Sequence, residues 1–328
     1  MLIDSVPFSR PDSFYSGNFY NQSGYHIRYG VMPAAGNERA TILMTGAQKS
    51  FMEEHYENFR TLSGMGCKTY YFEGYGNGGS DHQYTQDLRK PCTLSTEYHA
   101  RDLQDFIGMH VTQDKSKPFI HLSNCLGSLI SLEYILSTPG MFTSAIMVAP
   151  MLGSSLKWIN TPEKEEAFIE HANQAHLECT YISRKNVDEE QQWTYEGLME
   201  KYKPSSPSND PDRHQARAEW LCNYPHLQIG DFTYGNAAVN LKKVREFRES
   251  ENIRDITIPI KIISPTDDNI SSPEAHHSFA KIFKNCTVIT VKDAQHMLFR
   301  EKDEYRDIVF QELDKEISAF KPLNFQPK

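Results

Sequence analysis

Residues 119–131, FIHLSNCLGSLIS, constrain the fold more than any other part of the chain. The segment begins as an apolar strand, turns tightly at SNCLG and continues as the start of a helix. This pattern is typical of a nucleophile elbow, in which a strained strand-to-helix turn holds one side chain above a sheet. Ser123 and Gly127, two positions before and after the centre, are small enough for such a turn to pack against neighbouring strands. The central residue is Cys125.

The elbow predicts an acyl-transfer site, but its central residue leaves the kind of protein open. The free N–H groups and the dipole of the following helix favour negative charge at Cys125, which would make a thiolate there reactive. The alternative is a buried cysteine at an ordinary strand–helix junction, because free cysteine is among the most buried residue types. Elbows usually carry serine at this position.

Strands and helices alternate over most of the chain. Helical apolar spacing occurs at 50–63, 95–111 and 302–320. Strands that alternate with helices predict a mostly parallel sheet with helices on both faces. The strand-length apolar runs are YHIRYGV (25–31), ATILMTG (40–46), KTYYFEG (68–74), PFIHLSN (118–124), TSAIMVAP (143–150), PIKIISP (259–265) and CTVITVK (286–292).

The alternation stops between residues 153 and 235, a hydrophilic stretch without a convincing buried strand. We interpret it as a mainly helical insertion that covers the carboxyl edge of the sheet, where α/β folds bind their ligands. The predicted organisation is an α/β core from residues 1–152 and 236–328, with a cap or lid at 153–235. A solvated surface excursion without a role in binding is the alternative.

Composition excludes several classes of function. The 328 residues carry a net charge of −9, from 34 basic and 43 acidic side chains, which argues against a nucleic-acid partner. The first ten residues lack a secretory pattern, and no apolar run approaches the roughly 20 residues needed to span a bilayer. We expect a cytoplasmic protein, with export by another route and transient contact with membrane lipid left open. The oligomeric state is not predicted.

Cysteine spacing gives no sign of a metal centre. The six cysteines are scattered without CxxC pairs, so neither a zinc site nor a disulfide framework is predicted. We expect no metal and no cofactor.

A nucleophile needs a base, and the base needs a group that orients it. In folds with an elbow, the acid follows a later strand and the histidine follows the next one. Asp267 and Asp268 directly follow PIKIISP, and His296 follows CTVITV. The chain order Cys125, Asp268, His296 therefore predicts a catalytic triad. Asp268 is favoured because it lies directly before a turn and a Pro-initiated helix. Two alternatives stay open: Asp267 could be the acid of the triad, and His296 could be an ordinary surface histidine.

Acyl transfer also needs N–H donors for the oxyanion. One is expected from Leu126, directly after the elbow residue. The other is expected from Ala47, in the loop TGAQKS that follows an early strand. An ordinary glycine-containing turn is an equally good explanation of that loop.

Residues 74–79, GYGNGG, match the dinucleotide-binding pattern GxGxxG. In a dinucleotide fold this turn follows the first strand and opens directly into a helix. Here two strands precede it and a loop follows. We therefore predict no nucleotide cofactor at this turn.

With these motifs in place, the chain resembles an α/β-hydrolase and is similar to the lysophospholipase L2 and monoacylglycerol lipase group. The resemblance implies an eight-stranded, mostly parallel sheet, a helical cap and lipid-like acyl ester substrates. That group has serine at the elbow, so Cys125 is a departure, and Ser123 and Asn124 replace the common Gly-His. The segments that carry the resemblance are TGAQKSFMEEHYENFRTLSGMGCKTYYFEGYGNGGSDH (45–82), HLSNCLGSLISLEYI (121–135), VAPMLG (148–153), HLQIGDFTYGNAAVNL (226–241) and DAQHMLFREKDEYRD (293–307).

The expected function is hydrolysis of carboxylic esters or thioesters through a covalent acyl-enzyme on Cys125. Three alternatives remain: a cysteine-dependent acyltransferase of the polyhydroxyalkanoate-synthase type, a serine hydrolase whose nucleophile has been replaced, and a non-catalytic binding module. Acidic stretches in the insertion, KEEAFIE (164–170) and NVDEEQQ (186–192), favour an uncharged or zwitterionic acyl ester over a CoA thioester.

Overall fold

The computed structural model describes residues 1–84, 87, 89–182, 191–200 and 207–322. An eight-stranded sheet forms its centre. The strands are β1 (Tyr15–Tyr20), β2 (His26–Met32), β3 (Ala40–Thr45), β4 (Cys67–Glu73), β5 (Phe119–Asn124), β6 (Ser144–Val148), β7 (Ile260–Pro265) and β8 (Cys286–Val291). The helices are α1 (Tyr56–Gly64), α2 (Thr96–His110), α3 (Leu126–Ser137), α4 (Pro162–Gln174), α5 (Tyr195–Glu200), α6 (Pro211–Asn223), α7 (Tyr234–Glu249), α8 (Pro273–Ala280) and α9 (Asp303–Ala319).

The sheet has the order β1-β2-β4-β3-β5-β6-β7-β8. β1 pairs with β2 and β2 with β4 in antiparallel fashion, and the remaining neighbours are parallel. This arrangement confirms the predicted α/β-hydrolase fold with a mostly parallel sheet. Seven strands lie within two residues of the predicted runs, whereas β1 was missed, because YSGNFY is largely exposed at the edge and has only one buried residue.

The central strands separate two apolar layers. On β3, Leu43 packs into a layer with residues of α2 and α3, while its neighbours Ile42 and Met44 pack into a second layer with residues of α1 and α9. This follows from the two-residue period of a strand. Each large side chain buried in this way contributes about 1.5–3 kcal/mol. The two layers fix the sheet on which the candidate site is built.

Within the described residues, the stretch 153–235 contributes α4, α5 and α6 and no strand of the sheet. Two of these helices have clear start signals. Thr161 accepts a hydrogen bond from the N–H of Lys164, and Asp210 accepts one from Arg213 at 2.8 Å, each with proline at the first helical position. The division into core and cap stays a prediction. None of the helices that the structure describes is both long and apolar enough to cross a bilayer.

Candidate active site

Cys125 lies in a strained turn between β5 and α3. Its backbone has φ 50° and ψ −116°, a conformation that side-chain-bearing residues rarely adopt. The turn is held by its own backbone, since the Cys125 N–H donates to the Val148 carbonyl at 3.1 Å and its carbonyl accepts from Met151 at 3.2 Å. Strain of this kind persists only where the surroundings fix it. The thiol-bearing residue is therefore placed rigidly at the carboxyl edge of the sheet.

The turn also explains the glycine two residues later. A Cβ on Gly127 would lie 2.7 Å from the carbonyl oxygens of both Thr45 and Gly46. The backbone of the loop after β3 therefore packs directly against Gly127 at the start of α3, and no side chain fits between them. This contact brings the two loops predicted to supply oxyanion donors next to each other.

Asp268 and His296 meet in the loops after β7 and β8. His296 Nδ1 lies 2.8 Å from Asp268 Oδ2, and both side chains are buried. The other carboxylate oxygen accepts the N–H groups of Ile270 and Ser271, each at 2.8 Å. Asp267 does not take part: it is exposed and accepts the Thr266 hydroxyl. The structure therefore brings together the pair that the sequence favoured.

Two residues that the sequence analysis did not single out hold the loop of Asp268. Ser155 donates to the carbonyls of Asp268 and Ser271, both at 2.8 Å. His276 lies between the Pro150 carbonyl and the Ser264 hydroxyl, at 2.8 Å from each. Burial lowers the pKa of His276 to about 4, so it stays neutral and keeps these contacts near pH 7. No local sequence signal marks either residue, because their partners are distant in the chain.

The base is placed in an electrostatic environment that favours its protonated form. Burial alone would lower the pKa of His296, but the charges of Asp268 and Cys125 outweigh it and raise the pKa to about 10. Nε2 of His296 is buried and has no hydrogen-bond partner within the described residues. The ring is thus oriented through Nδ1, while Nε2 is left for a reacting group.

The expected oxyanion donors, the N–H groups of Leu126 and Ala47, both belong to residues next to Cys125. Leu126 is the first residue of α3, so its N–H is among the helix amides that have no acceptor within the helix. Ala47 forms a small buried cluster with Cys125 and Met297. Lys49, two residues later, has φ 66°, and Asn77 accepts its N–H at 2.9 Å. The loop after β3 is therefore sharply curved and tied down at the residue where it bends.

Cys125, His296 and Ala47 line one cavity of about 250 Å³. Its wall also includes Trp193 and Leu198, which belong to the stretch 153–235. This stretch contacts the histidine loop directly, since the N–H of Met297 donates to the Pro207 carbonyl at 2.7 Å. The cavity therefore lies between the sheet's carboxyl edge and the stretch 153–235.

A second group of charges in the cavity wall was not predicted. Glu54 accepts Arg217 Nε at 2.8 Å and lies 3.5 Å from Arg300 Nε. Its other oxygen accepts the Ser50 hydroxyl at 2.5 Å. Burial opposes ionisation of Glu54, but Arg300 and Arg217 outweigh it and lower its pKa to about 2. Only the fold assembles this group, since Arg217 is contributed by α6 and Glu54 by the core.

The GYGNGG turn folds around a side chain of its own chain. Glu73 accepts the N–H groups of Gly79 at 2.5 Å and Met52 at 2.8 Å and pairs with Arg28. A Cβ on Gly78 would overlap its carboxylate, which explains that glycine. The turn thus surrounds an internal carboxylate. Among the residues that the structure describes, no group of three or more potential ligands is arranged for a metal ion.

Comparison with solved structures shows the same fold. A soluble variant of monoglyceride lipase from Saccharomyces cerevisiae, in complex with a substrate analog, matches with a TM-score of 0.68 and 15% identity, over 96% of this chain and 99% of that one. The Paleococcus ferrophilus monoacylglycerol lipase matches with a TM-score of 0.63 and 14% identity, over 89% of this chain and 98% of that one. A thermostable carboxyl esterase from Bacillus coagulans, in complex with glycerol, matches with a TM-score of 0.68 and 12% identity, over 94% of this chain and 99% of that one.

At the level of sequence, comparison with curated proteins finds no match. A family model is more sensitive, and the one described as serine aminopeptidase, S33 (Hydrolase_4) matches residues 39–303. This range includes the elbow, both loops of the Asp268–His296 pair and the whole stretch between them. The chain therefore belongs to the serine aminopeptidase S33 family of α/β-hydrolases.

Proposed function

We propose that this protein hydrolyses carboxylic esters or thioesters through a covalent acyl intermediate on Cys125. The observation that carries the proposal is the shared cavity: a strained thiol-bearing turn and a buried histidine paired with Asp268 line the same wall. Acyl transfer requires a nucleophile, an oriented base and N–H donors for the oxyanion. All three lie at the carboxyl edge of this sheet.

In the first half of the proposed reaction, His296 takes the proton of the Cys125 thiol, and the sulfur attacks the acyl carbonyl carbon. The carbonyl oxygen becomes an oxyanion that accepts hydrogen bonds from the N–H groups of Leu126 and Ala47. When the C=O bond re-forms, the bond to the alcohol or thiol breaks. The leaving group takes the proton from His296, and a thioester remains on Cys125.

In the second half, water replaces the leaving group. His296 takes a proton from the water as its oxygen attacks the thioester carbon, and the same N–H groups hold the oxyanion. Collapse releases the carboxylic acid, and the sulfur regains its proton from His296. Asp268 keeps the imidazole in the tautomer with the proton on Nδ1 and stabilises the cationic ring in both halves.

The cavity and the similar structures support one class of substrate. Side chains of Leu198, Ile229 and Met297 provide apolar surface for an acyl chain. The similar structures include monoacylglycerol lipases and a carboxyl esterase, which supports an ester substrate. In this proposal the insertion acts as the cap of the acyl pocket, and lysophospholipids and monoacylglycerols are the first natural esters to test.

Intact-protein mass spectrometry tests the proposal. After brief incubation with 4-nitrophenyl butyrate or a butyryl thioester, we expect a single added butyryl group, located on Cys125 by peptide mapping. Cys125→Ala should show no adduct and lose nearly all turnover, since the nucleophile is absent. The exposed Cys179 provides the matched control, because Cys179→Ala should acylate as the wild type does.

Two outcomes would contradict the proposal. An adduct on another residue would show that Cys125 is not the nucleophile. The absence of any adduct or turnover with esters and thioesters would favour a binding module. Cys125→Ser separates a site built for a thiol from one built for a hydroxyl. A serine needs more help from His296 and the oxyanion donors, so a gain in ester hydrolysis would show that the scaffold suits serine.

A further inference from the structure

We propose that the substrate carries an anionic oxygen group, a carboxylate or a phosphate, which binds in the cavity at Arg300 with support from Arg217 and Gln48. This inference rests on the proposed function, because it defines which acyl compounds the same cavity accepts. It is carried by the charge balance of the cavity wall and by polar atoms that lack partners.

The cavity wall has a positive charge in excess. Histidines aside, the charged side chains that the described residues contribute to it are three cations and two anions: Lys49, Arg217, Arg300, Glu54 and Asp231. Lys49 pairs with Asp231 at 2.6 Å, and Arg217 donates to Glu54 at 2.8 Å. Arg300 is left with the shared Glu54 oxygen at 3.5 Å. The excess charge therefore resides at Arg300.

The Arg300 guanidinium is buried at a high electrostatic cost. The residue is 7% exposed, and its Nε has no hydrogen-bond partner within the described part of the chain. Burial, and then the charge of Arg217, lower the pKa of Arg300 to about 10 even though the carboxylates of Glu54 and Glu301 oppose this shift. A buried cation without sufficient partners destabilises a protein unless a ligand compensates it. An anionic oxygen provides both the charge and the hydrogen-bond acceptor that this site lacks.

Gln48 provides a second, independent observation. Both polar atoms of its amide are shielded from solvent and have no hydrogen-bond partner among the described residues, and the residue lines the cavity. Buried amides nearly always have partners, so an unpaired one in a cavity wall indicates a ligand. Gln48 directly follows Ala47, the expected oxyanion donor. Its amide is therefore placed to donate to an oxygen of a substrate held for reaction.

This conclusion differs from the sequence-based expectation of an uncharged or zwitterionic substrate. That expectation depended on acidic stretches of the insertion. In the first stretch, Glu165 pairs with Arg248 and Glu166 with Arg245, so α4 and α7 neutralise each other away from the cavity. Most of the second stretch, 186–190, lies outside the described residues. The charges that matter are those of the cavity wall, where the excess is positive.

The first test compares two esters that differ only in a terminal carboxylate: the mono-4-nitrophenyl ester of adipic acid and 4-nitrophenyl hexanoate. We expect wild-type protein to prefer the adipate ester about 10- to 100-fold in kcat/KM, the range for a hydrogen bond to a charged group. Arg300→Gln should remove most of this preference. Arg254→Gln, the same change at an exposed arginine, should leave it intact. Equal use of both esters by the wild type would overturn the proposal.

The second test measures binding without catalysis, so that it does not depend on the proposed reaction. Calorimetry with hexanoate, hexyl phosphate and hexanol should show at least tenfold tighter binding of one of the two anions than of the alcohol. Preference for hexyl phosphate would assign a phosphate, and preference for hexanoate a carboxylate. If all three ligands bound alike, the anion site would be refuted, even if Cys125 were acylated by neutral esters.

The two tests distinguish failure of this inference from failure of the proposed function. Anion binding without any acyl adduct would support the anion site and contradict the proposed enzymatic function. Circular dichroism and thermal unfolding of Arg300→Gln establish whether that variant folds. If it does not, the wild-type comparisons of esters and of ligands still decide the question.

Discussion

Two groups of ionisable side chains meet at the cavity, and they are built in different ways. The candidate catalytic group, Cys125, His296 and Asp268, consists of residues from loops that directly follow strands of the sheet. In the charged group, Glu54 and Arg300 meet Arg217 of the stretch 153–235. The first group depends on the sheet alone, whereas the second depends on how the stretch 153–235 packs.

The two groups also differ in what their charges can do. The pKa of His296 is raised to about 10 in part by the charge of Cys125, so acylation of that sulfur, which removes the charge, would lower the pKa and let His296 act as a base. The pKa of Glu54 is lowered to about 2, so its carboxylate keeps its charge at any physiological pH. A catalytic group must exchange protons, while a binding group must present a constant charge. The predictions below test this difference.

The largest effect is expected at the catalytic group. Asp268→Asn replaces the acceptor of His296 Nδ1 with an amide that can donate instead, which favours the wrong tautomer. We expect ester turnover to fall roughly 10²- to 10⁴-fold, with little change in the fold. Steady-state kinetics with 4-nitrophenyl butyrate measures this. Asp267→Asn, one residue earlier and exposed, is the matched control and should stay within about twofold. Equal losses in both variants would contradict the assignment.

The positions of the candidate catalytic group could be predicted because each of its residues follows a strand signal. The apolar runs that end before Asp268 and His296 identify the carboxyl edge, and the elbow identifies Cys125. Parallel strands bring these loops together whatever the helices do. The choice between Asp267 and Asp268 depended on a turn signal, and in the structure Asp268 is the residue that contacts His296.

The charged group could not be predicted in the same way. Glu54 and Arg217 lie on helical segments, where charged residues normally face water. Nothing in the sequence near Arg217 indicates that a carboxylate 163 positions away is its partner. Gln48 and Arg300 lie close to predicted site residues, but only the cavity shows that they line it. Ion pairs between distant elements form only when those elements pack together, so the local periodicity of the sequence cannot predict them.

The next effect concerns the stability of the charged group. Glu54→Gln removes the carboxylate that compensates Arg217 and Arg300 and leaves these two cations together. Arg300 is buried but Arg217 is only partly buried, so we expect the free energy of unfolding to fall by about 3 kcal/mol, the lower end of the usual cost of breaking a buried pair. Urea denaturation at pH 7 measures it, and Glu170→Gln on the exposed face of α4 should stay within about 0.5 kcal/mol. A Glu54→Gln protein as stable as this control would show that the group does not depend on its carboxylate.

The smallest effect is the change in stability per pH unit, and the two groups should produce it at opposite ends of the pH scale. For His296, the folded pKa of about 10 lies above the ordinary value of 6.5, so its stabilisation is complete below 6.5 and is lost as pH rises toward 10. For Glu54, the folded pKa of about 2 lies below the ordinary 4.5, so its stabilisation is complete above 4.5 and is lost as pH falls toward 2. Each group changes the free energy of unfolding by at most about 1.4 kcal/mol per pH unit.

Denaturation curves of the wild type, His296→Gln and Glu54→Gln between pH 3 and 10 separate these contributions. Relative to wild type, His296→Gln should lose less stability between pH 6.5 and 10, and Glu54→Gln should lose less below pH 4.5. His276 does not interfere in the alkaline range, because burial holds its pKa at about 4. Curves that run parallel to the wild type at both ends would mean that neither group is ionised as the geometry implies. If the variants differed from the wild type only below pH 4.5, the data would support an ionised Glu54 and contradict a protonated His296.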